Sequence, residues 1–209
     1  MREQAIWRTA ALIVAASCLL MAAGCGAARP VHYYTLEQPP SASDTPAAHP
    51  NGVSLLVARV RAAQLLEEDR IVYGVSPVEM GVYGSHRWAE PPPEMIETML
   101  VERLRATGQY KSVQPLAGAA RGDYVVRGRL ISLKEMDLPS GVVARFTLDL
   151  ELFDPKTGTV VWSQTYSHDE PVQSKTVNAV VEALQRNVQG GLGQLVDGLG
   201  QYFASHPGQ

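Results

Sequence analysis

Cysteine is nearly missing from this chain of 209 residues: there are two, Cys18 and Cys25, and none follows. A fold built from the residues after Cys25 therefore contains no disulfide and no thiolate metal site. Clustered positive charge is also lacking. Eighteen Lys and Arg stand against 21 Asp and Glu, a net charge of −3, which argues against nucleic acid as a partner. The five histidines, at 32, 49, 86, 168 and 206, include no pair at helical metal-ligand spacing. Gly-Xaa-Ser-Xaa-Gly does not occur, nor does a glycine-rich loop ending in Lys-Ser/Thr, so the usual serine nucleophile elbow and phosphate loop are both missing. Residues 9–21 are apolar and uncharged, but 13 residues of helix span roughly 20 Å, short of the ~30 Å bilayer core, so a permanent transmembrane helix is not expected.

What the N-terminus does contain is an address. Arg2 and Arg8 precede the apolar run, and Ala22-Ala23-Gly24 close it just before Cys25. Basic segment, short apolar segment and small residues are the layout of a secretory signal. With Cys25 next, the junction resembles the lipobox of bacterial lipoproteins, in which the thiol takes a diacylglyceryl group and the new N-terminus a further acyl chain such as palmitate. Cys25 is the expected lipidation site; the alternative is an ordinary signal peptide with an incidental cysteine. Several acyl chains, at ~0.8 kcal/mol per buried methylene, hold a protein on a membrane without a spanning segment. In the lipobox picture Gly26, not being Asp, favours the outer membrane over the inner. Cutting before Cys25 removes two Arg and one Glu and takes the formal charge from −3 to −4.

Residues 1–24 thus read as signal peptide and 25–31 as a lipidated tether. Residues 32–203 read as one domain of sufficient size to bury its own core, and 204–209 as a tail. Residues 32–36 suit a strand, and the four prolines within 39–51 suit an exposed linker. The near-continuous apolar run from residue 53 predicts a strand buried on both faces. Strands are expected at 71–75 and 78–83. Pro92 and Pro93 fit the first turn of a helix over 92–107, with Met95, Ile96, Met99, Leu100 and Leu104 on its apolar face. After a brief strand at 110–113, residues 123–135, 142–153 and 159–166 alternate as an antiparallel meander. In it Asp149 and Glu151 form a solvated face, and residues 168–170 a polar loop. Residues 174–205 carry a helical apolar stripe from Val177 to Tyr202. Gly190, Gly191 and Gly193 predict a kink or break in a helix that covers the sheet and bends round it; the alternative is that they permit close approach of another subunit's backbone.

Tyr33-Tyr34-Thr35-Leu36 after the lipobox, Arg87-Trp88-Ala89-Glu90-Pro91 at a helix entrance, and Val161-Trp162-Ser163 before the long closing helix carry a resemblance. In this order they resemble the ABC-type transport auxiliary lipoprotein family, which includes the paraquat-inducible protein C (PqiC)-like lipoproteins, over about residues 32–203. The resemblance implies an α+β fold: an antiparallel-rich sheet packed against one medium and one long C-terminal helix, an α/β sandwich. It implies no enzyme and no cofactor beyond the lipid on Cys25. The role it implies is that of an accessory component beside an MCE-domain protein of an ABC-type intermembrane lipid transporter, with a homo-oligomer possible. Alternatives are a lipid-binding periplasmic lipoprotein and a lipoprotein regulator of cell-wall synthesis. Arg87, Trp88, Glu90, Tyr33 and Tyr34 are the candidate docking residues, because tyrosine, tryptophan and arginine are enriched at binding hot spots. Against docking stands a core role for Trp88, with Arg87 and Glu90 bracing the helix entrance, and a split of the tyrosines into one packed and one exposed.

Overall fold

The computed structural model describes residues 30–37, 52–76 and 78–206. The signal peptide, Cys25, residues 39–51 of the linker and residues 207–209 of the tail lie outside them. In chain order the strands are β1 (His32–Tyr34), β2 (Ser54–Val57), β3 (Arg61–Ala62), β4 (Arg70–Gly74) and β5 (Met80–Trp88), then β6 (Ser112–Pro115), β7 (Tyr124–Leu138), β8 (Gly141–Asp154) and β9 (Thr159–Pro171). The helices are α1 (Pro92–Ala106), between β5 and β6, and α2 (Val177–Ser205), after β9.

The spine is β7. Along one edge it pairs antiparallel with β8, which pairs antiparallel with β9. Its other edge takes β2, β3 and β4 in turn, each parallel to it. Beyond these lie β6, parallel to β2, and β5, antiparallel to β4, with β1 parallel to β5 at the margin. The long ladders are therefore antiparallel, as the alternation in 123–166 predicts. The short strands nearer the N-terminus add parallel ladders, which need crossovers and leave no local pattern to read.

Both helices pack on one face of the sheet. In β8, Ala144, Phe146, Leu148, Leu150 and Leu152 are all at most 1% exposed, while Arg145, Thr147, Asp149 and Glu151 face away. α2 meets the first set with Val181, Leu184, Val188, Leu192, Leu195 and Leu199. Each such aliphatic side chain contributes about 1.5–3 kcal/mol on burial. Thr176 caps α2 by accepting from the Ala179 N–H at 3.3 Å. α1 starts on Pro92 and Pro93, whose missing N–H groups would have been unpaired there in any case.

Three expectations change. α2 runs unbroken for 29 residues through its glycines. A Cβ on Gly191 would sit 2.6 Å from the Tyr166 ring and 2.8 Å from Phe146, and one on Gly193 2.7 Å from Arg103. These glycines bring α2 close to its own sheet and to α1, so packing offsets their poor helix propensity, and the close approach is made within the chain. Residues 168–170 are the end of β9, not a loop, because Asp169 pairs across the sheet with Arg145. β5 extends to Trp88, five residues beyond the expected end at 83, because β1 and β4 flank it on both sides.

Candidate functional site at the β1 margin and the open face of the sheet

The parallel register of β1 with β5 brings the sequence-predicted residues into two groups. Tyr33 stands beside Arg87, and Tyr34 beside Trp88. Adjacent residues of a strand point to opposite faces, so each register pair shares one face. Trp88 is 1% exposed and sits in the core, where burial of the whole indole leaves no surface for a partner. Its candidacy as a docking residue is corrected to a core role. Arg87 donates to Asp69 at 2.8 Å and makes no ion pair with Glu90. Glu90 is exposed and forms no cap on α1; with Thr35, Leu36, Glu37, Met95 and Glu102 it lines a shallow cleft of about 330 Å³.

The tyrosines divide as expected. Tyr33 is 65% exposed, and Val31, two residues before it, is 44% exposed. Tyr34 turns the other way: its hydroxyl lies 2.7 Å from Asn178 Oδ1 and 2.9 Å from His86 Nδ1. The hydroxyl has one proton, so when it donates to Asn178 the imidazole must carry its proton on Nδ1 to donate in turn. His86 stacks between His32 and Tyr34 at centroid separations of 5.0 and 5.7 Å. Tyr83, at the next corner of this cluster, is hydrogen-bonded to Glu135. Burial, and then that carboxylate, push the Tyr83 phenol well above its usual range, so it stays protonated as a donor.

The opposite face of β7, β8 and β9 carries charge that the sequence hides, because alternation and cross-strand pairing scatter it. In one row Arg129, Asp149 and Thr165 are register partners; Arg129 and Thr165 donate to Asp149 at 2.9 and 2.7 Å. Two residues along is a row of hydroxyls, Ser132, Thr147 and Ser167, and beyond that Lys134, Arg145 and Asp169. Arg145 binds both Asp169 oxygens at 2.7 Å, and this pairing holds the Asp169 carboxyl below the ordinary carboxylate range. Lys134 is pushed below its usual range by burial and by the neighbouring Arg145. Arg127, one row beyond Arg129, lies 3.5 Å over the Phe153 ring, and Arg61 of β3 stands beside Arg129. In a chain of net charge −3 this face holds more cations than carboxylates. Counting charges strand by strand on the outward parity would have found it, Lys134 apart, whose facing is set by the register shift after Leu130.

Among the described residues no group of three or more His, Cys, Asp or Glu side chains is placed to hold a metal ion. No described helix is long and apolar enough to cross a membrane. The chain is similar in structure to a Xanthomonas campestris protein at 24% identity and a TM-score of 0.71, covering 84% of this chain and 97% of that one. A second, uncharacterised protein is similar at 15% identity and a TM-score of 0.63, covering 81% of this chain and 99% of that one. At these identities the likeness shows the fold. No curated protein matches the sequence. The sequence profile of the ABC-type transport auxiliary lipoprotein component matches residues 34–196, from the Tyr34 that anchors β1 into the sheet-covering part of α2. Since that match takes in the whole sheet beyond β1 and most of α2, the chain belongs to the ABC-type transport auxiliary lipoprotein family.

Proposed function

We propose that this chain is a non-catalytic lipoprotein, anchored through Cys25 in the outer membrane and facing the periplasm, that docks an MCE-domain protein of an ABC-type lipid transporter. The family match over residues 34–196 carries the reading. The surface that suits it is the β1 margin. β1 pairs with β5 alone among the described strands, so its other edge offers backbone groups to an added strand. Val31 and Tyr33 stand exposed there, with the Arg87–Asp69 pair beside Tyr33. An apolar contact rimmed by a charged pair is the usual anatomy of a docking patch. The role is positional: the lipid fixes the domain at the membrane, and the domain seats the periplasmic end of the transporter. A homo-oligomer would find an edge on β9, which among the described strands pairs only with β8, rather than at the glycines of α2.

An acyl chain held between helix and sheet is the less favoured reading. Phe146, Leu148, Leu152, Leu184, Leu192 and Leu195 fill that layer, each wholly buried. Two experiments test the proposal. Affinity capture from detergent-solubilised envelopes should bring down an MCE-domain protein, and its absence would refute the partner. Cys25→Ala should leave the outer-membrane fraction; unchanged partitioning would refute the anchor.

A further inference from the structure

The row of hydroxyls on the open face lies beside Lys134, a cation with no ion-pair partner among the described residues. β7 and β8 shift register between Leu130 and Ser132, a bulge that leaves Ile131 without a partner and 47% exposed. Bulges bend a strand and re-aim its side chains. Here the bulge adjoins a hollow of about 560 Å³ lined by Ser132, Lys134, Thr147, Ser167 and the Arg145–Asp169 pair, with Ile131 at its side. Ser132 is 6% exposed, and its hydroxyl has no hydrogen-bond partner among the described residues. A buried hydroxyl without a bond is unfavourable, so an acceptor placed in the hollow would gain by taking its proton. Thr147 and Ser167 lie 2.9 Å apart; one donates to the other, and the second proton remains free. Across the same hollow Arg145 is held by Asp169 while Lys134 meets only the Met80 sulfur, at 3.5 Å, with no carboxylate in ion-pair range among the described residues.

We propose that this hollow binds a phosphate group, with Lys134 supplying the charge and Ser132 and the Thr147–Ser167 pair donating to its oxygens. A tetrahedral oxyanion matches donors arriving from three strands. A carboxylate is planar and best suited to a guanidinium fork, and that of Arg145 is already taken by Asp169. Lysine acts on phosphate as a point charge and needs no such fork. The exposed Ile131 side chain offers an apolar neighbour to whatever the phosphate is attached to. The phosphate can come free in solution or as the diester of a glycerophospholipid headgroup. The inference rests on these outward-facing residues and stands whether or not the β1 margin docks a transporter.

Calorimetric titration of the full chain in neutral detergent, with inorganic phosphate and separately with glycerophosphoglycerol, tests it. Saturable binding of at least one is expected. Lys134→Met should weaken it about tenfold, about 1.4 kcal/mol, as loss of a charge-assisted contact implies, while Lys134→Arg stays within about threefold. Tighter binding of the diester assigns the site to a lipid headgroup; equal or tighter binding of inorganic phosphate assigns it to the free ion. No saturable binding of either, or Lys134→Met binding like the wild type, overturns the proposal. Should Lys134→Met not fold, Ser132→Ala decides, since it removes only an unpaired hydroxyl: severalfold weaker binding supports the site and unchanged affinity overturns it.

Discussion

Gly190 and Gly191 are neighbours in α2, and exchanging each for alanine should stabilise at the first and fail to stabilise at the second. Both substitutions gain up to ~1 kcal/mol of helix propensity. At Gly190 the new methyl meets only the Tyr166 hydroxyl, 3.9 Å away, so that gain should be realised. At Gly191 it would fall 2.6 Å from two Tyr166 ring carbons and 2.8 Å from a Phe146 ring carbon. Neither ring can yield easily. Phe146 is fully buried, and Tyr166 is held by its hydroxyl bond to Asn187 at 2.9 Å. Overpacking of a filled core costs about 1–3 kcal/mol. Gly191→Ala should therefore lie about 1–3 kcal/mol below Gly190→Ala, the difference being that overpacking term alone. Urea unfolding at unchanged m-value measures it, and melting temperatures should separate by ~2–4 °C per kcal/mol for a domain of this size. Equal stabilisation by both would show that Gly191 does not face Tyr166, and the docking of α2 on the sheet would be wrong.

Trp88→Ala should destabilise by about 3–5 kcal/mol, as for a buried large aromatic, with the urea midpoint as readout; a wild-type midpoint would return Trp88 to the surface. Asn187, 2% exposed, donates to the carbonyls of Ala144 and His168 at 2.8 and 2.9 Å. Asn187→Asp turns those donors into acceptors and should cost more than Asn187→Ala, whose loss is about 1–3 kcal/mol; the reverse order in the same unfolding assay would refute the bonding. Asp169 titrates below the usual carboxylate range because of Arg145. Its contribution is present above the unfolded-state pKa and lost as pH falls through the folded-state value. The stability gap between wild type and Asp169→Asn, of the order of 1 kcal/mol for a pair about one third exposed, should close on acidification, and a gap that persists in acid would contradict the pairing.

How much of this was open to reading depends on how local its cause is. The alternation from Val142 to Leu152 forces one face inward, so β8, its partners and the helix-bearing face were legible. The proline entrance and apolar spacing of α1 were equally local. The apolar run from residue 53 announces β2 as a strand buried on both faces, and Leu55, Leu56 and Val57 are buried, but its partners and those of β3 and β4 depend on contacts between distant segments. The glycines of α2 misled because propensity speaks for breakage while the deciding term, the fit against Tyr166 and Phe146, lies across the core. At the candidate site, Tyr33 and Tyr34 separated as a strand requires. Arg87 chose Asp69 over the nearer Glu90 because the extended β5 places it beside the β4 entrance. The outward hydroxyl row and Lys134 were missed because a register shift at Ile131 brings Ser132 opposite Thr147, and a bulge has no sequence signature here.

Docking at the β1 margin is tested most directly by a photo-reactive amino acid placed at residue 33 in living cells, with exposed residue 156 on the β8–β9 loop as the control position. An ultraviolet-dependent adduct between residue 33 and an MCE-domain protein is expected, and none from residue 156. Adducts from 156 alone, or no MCE-domain adduct from 33, would contradict it.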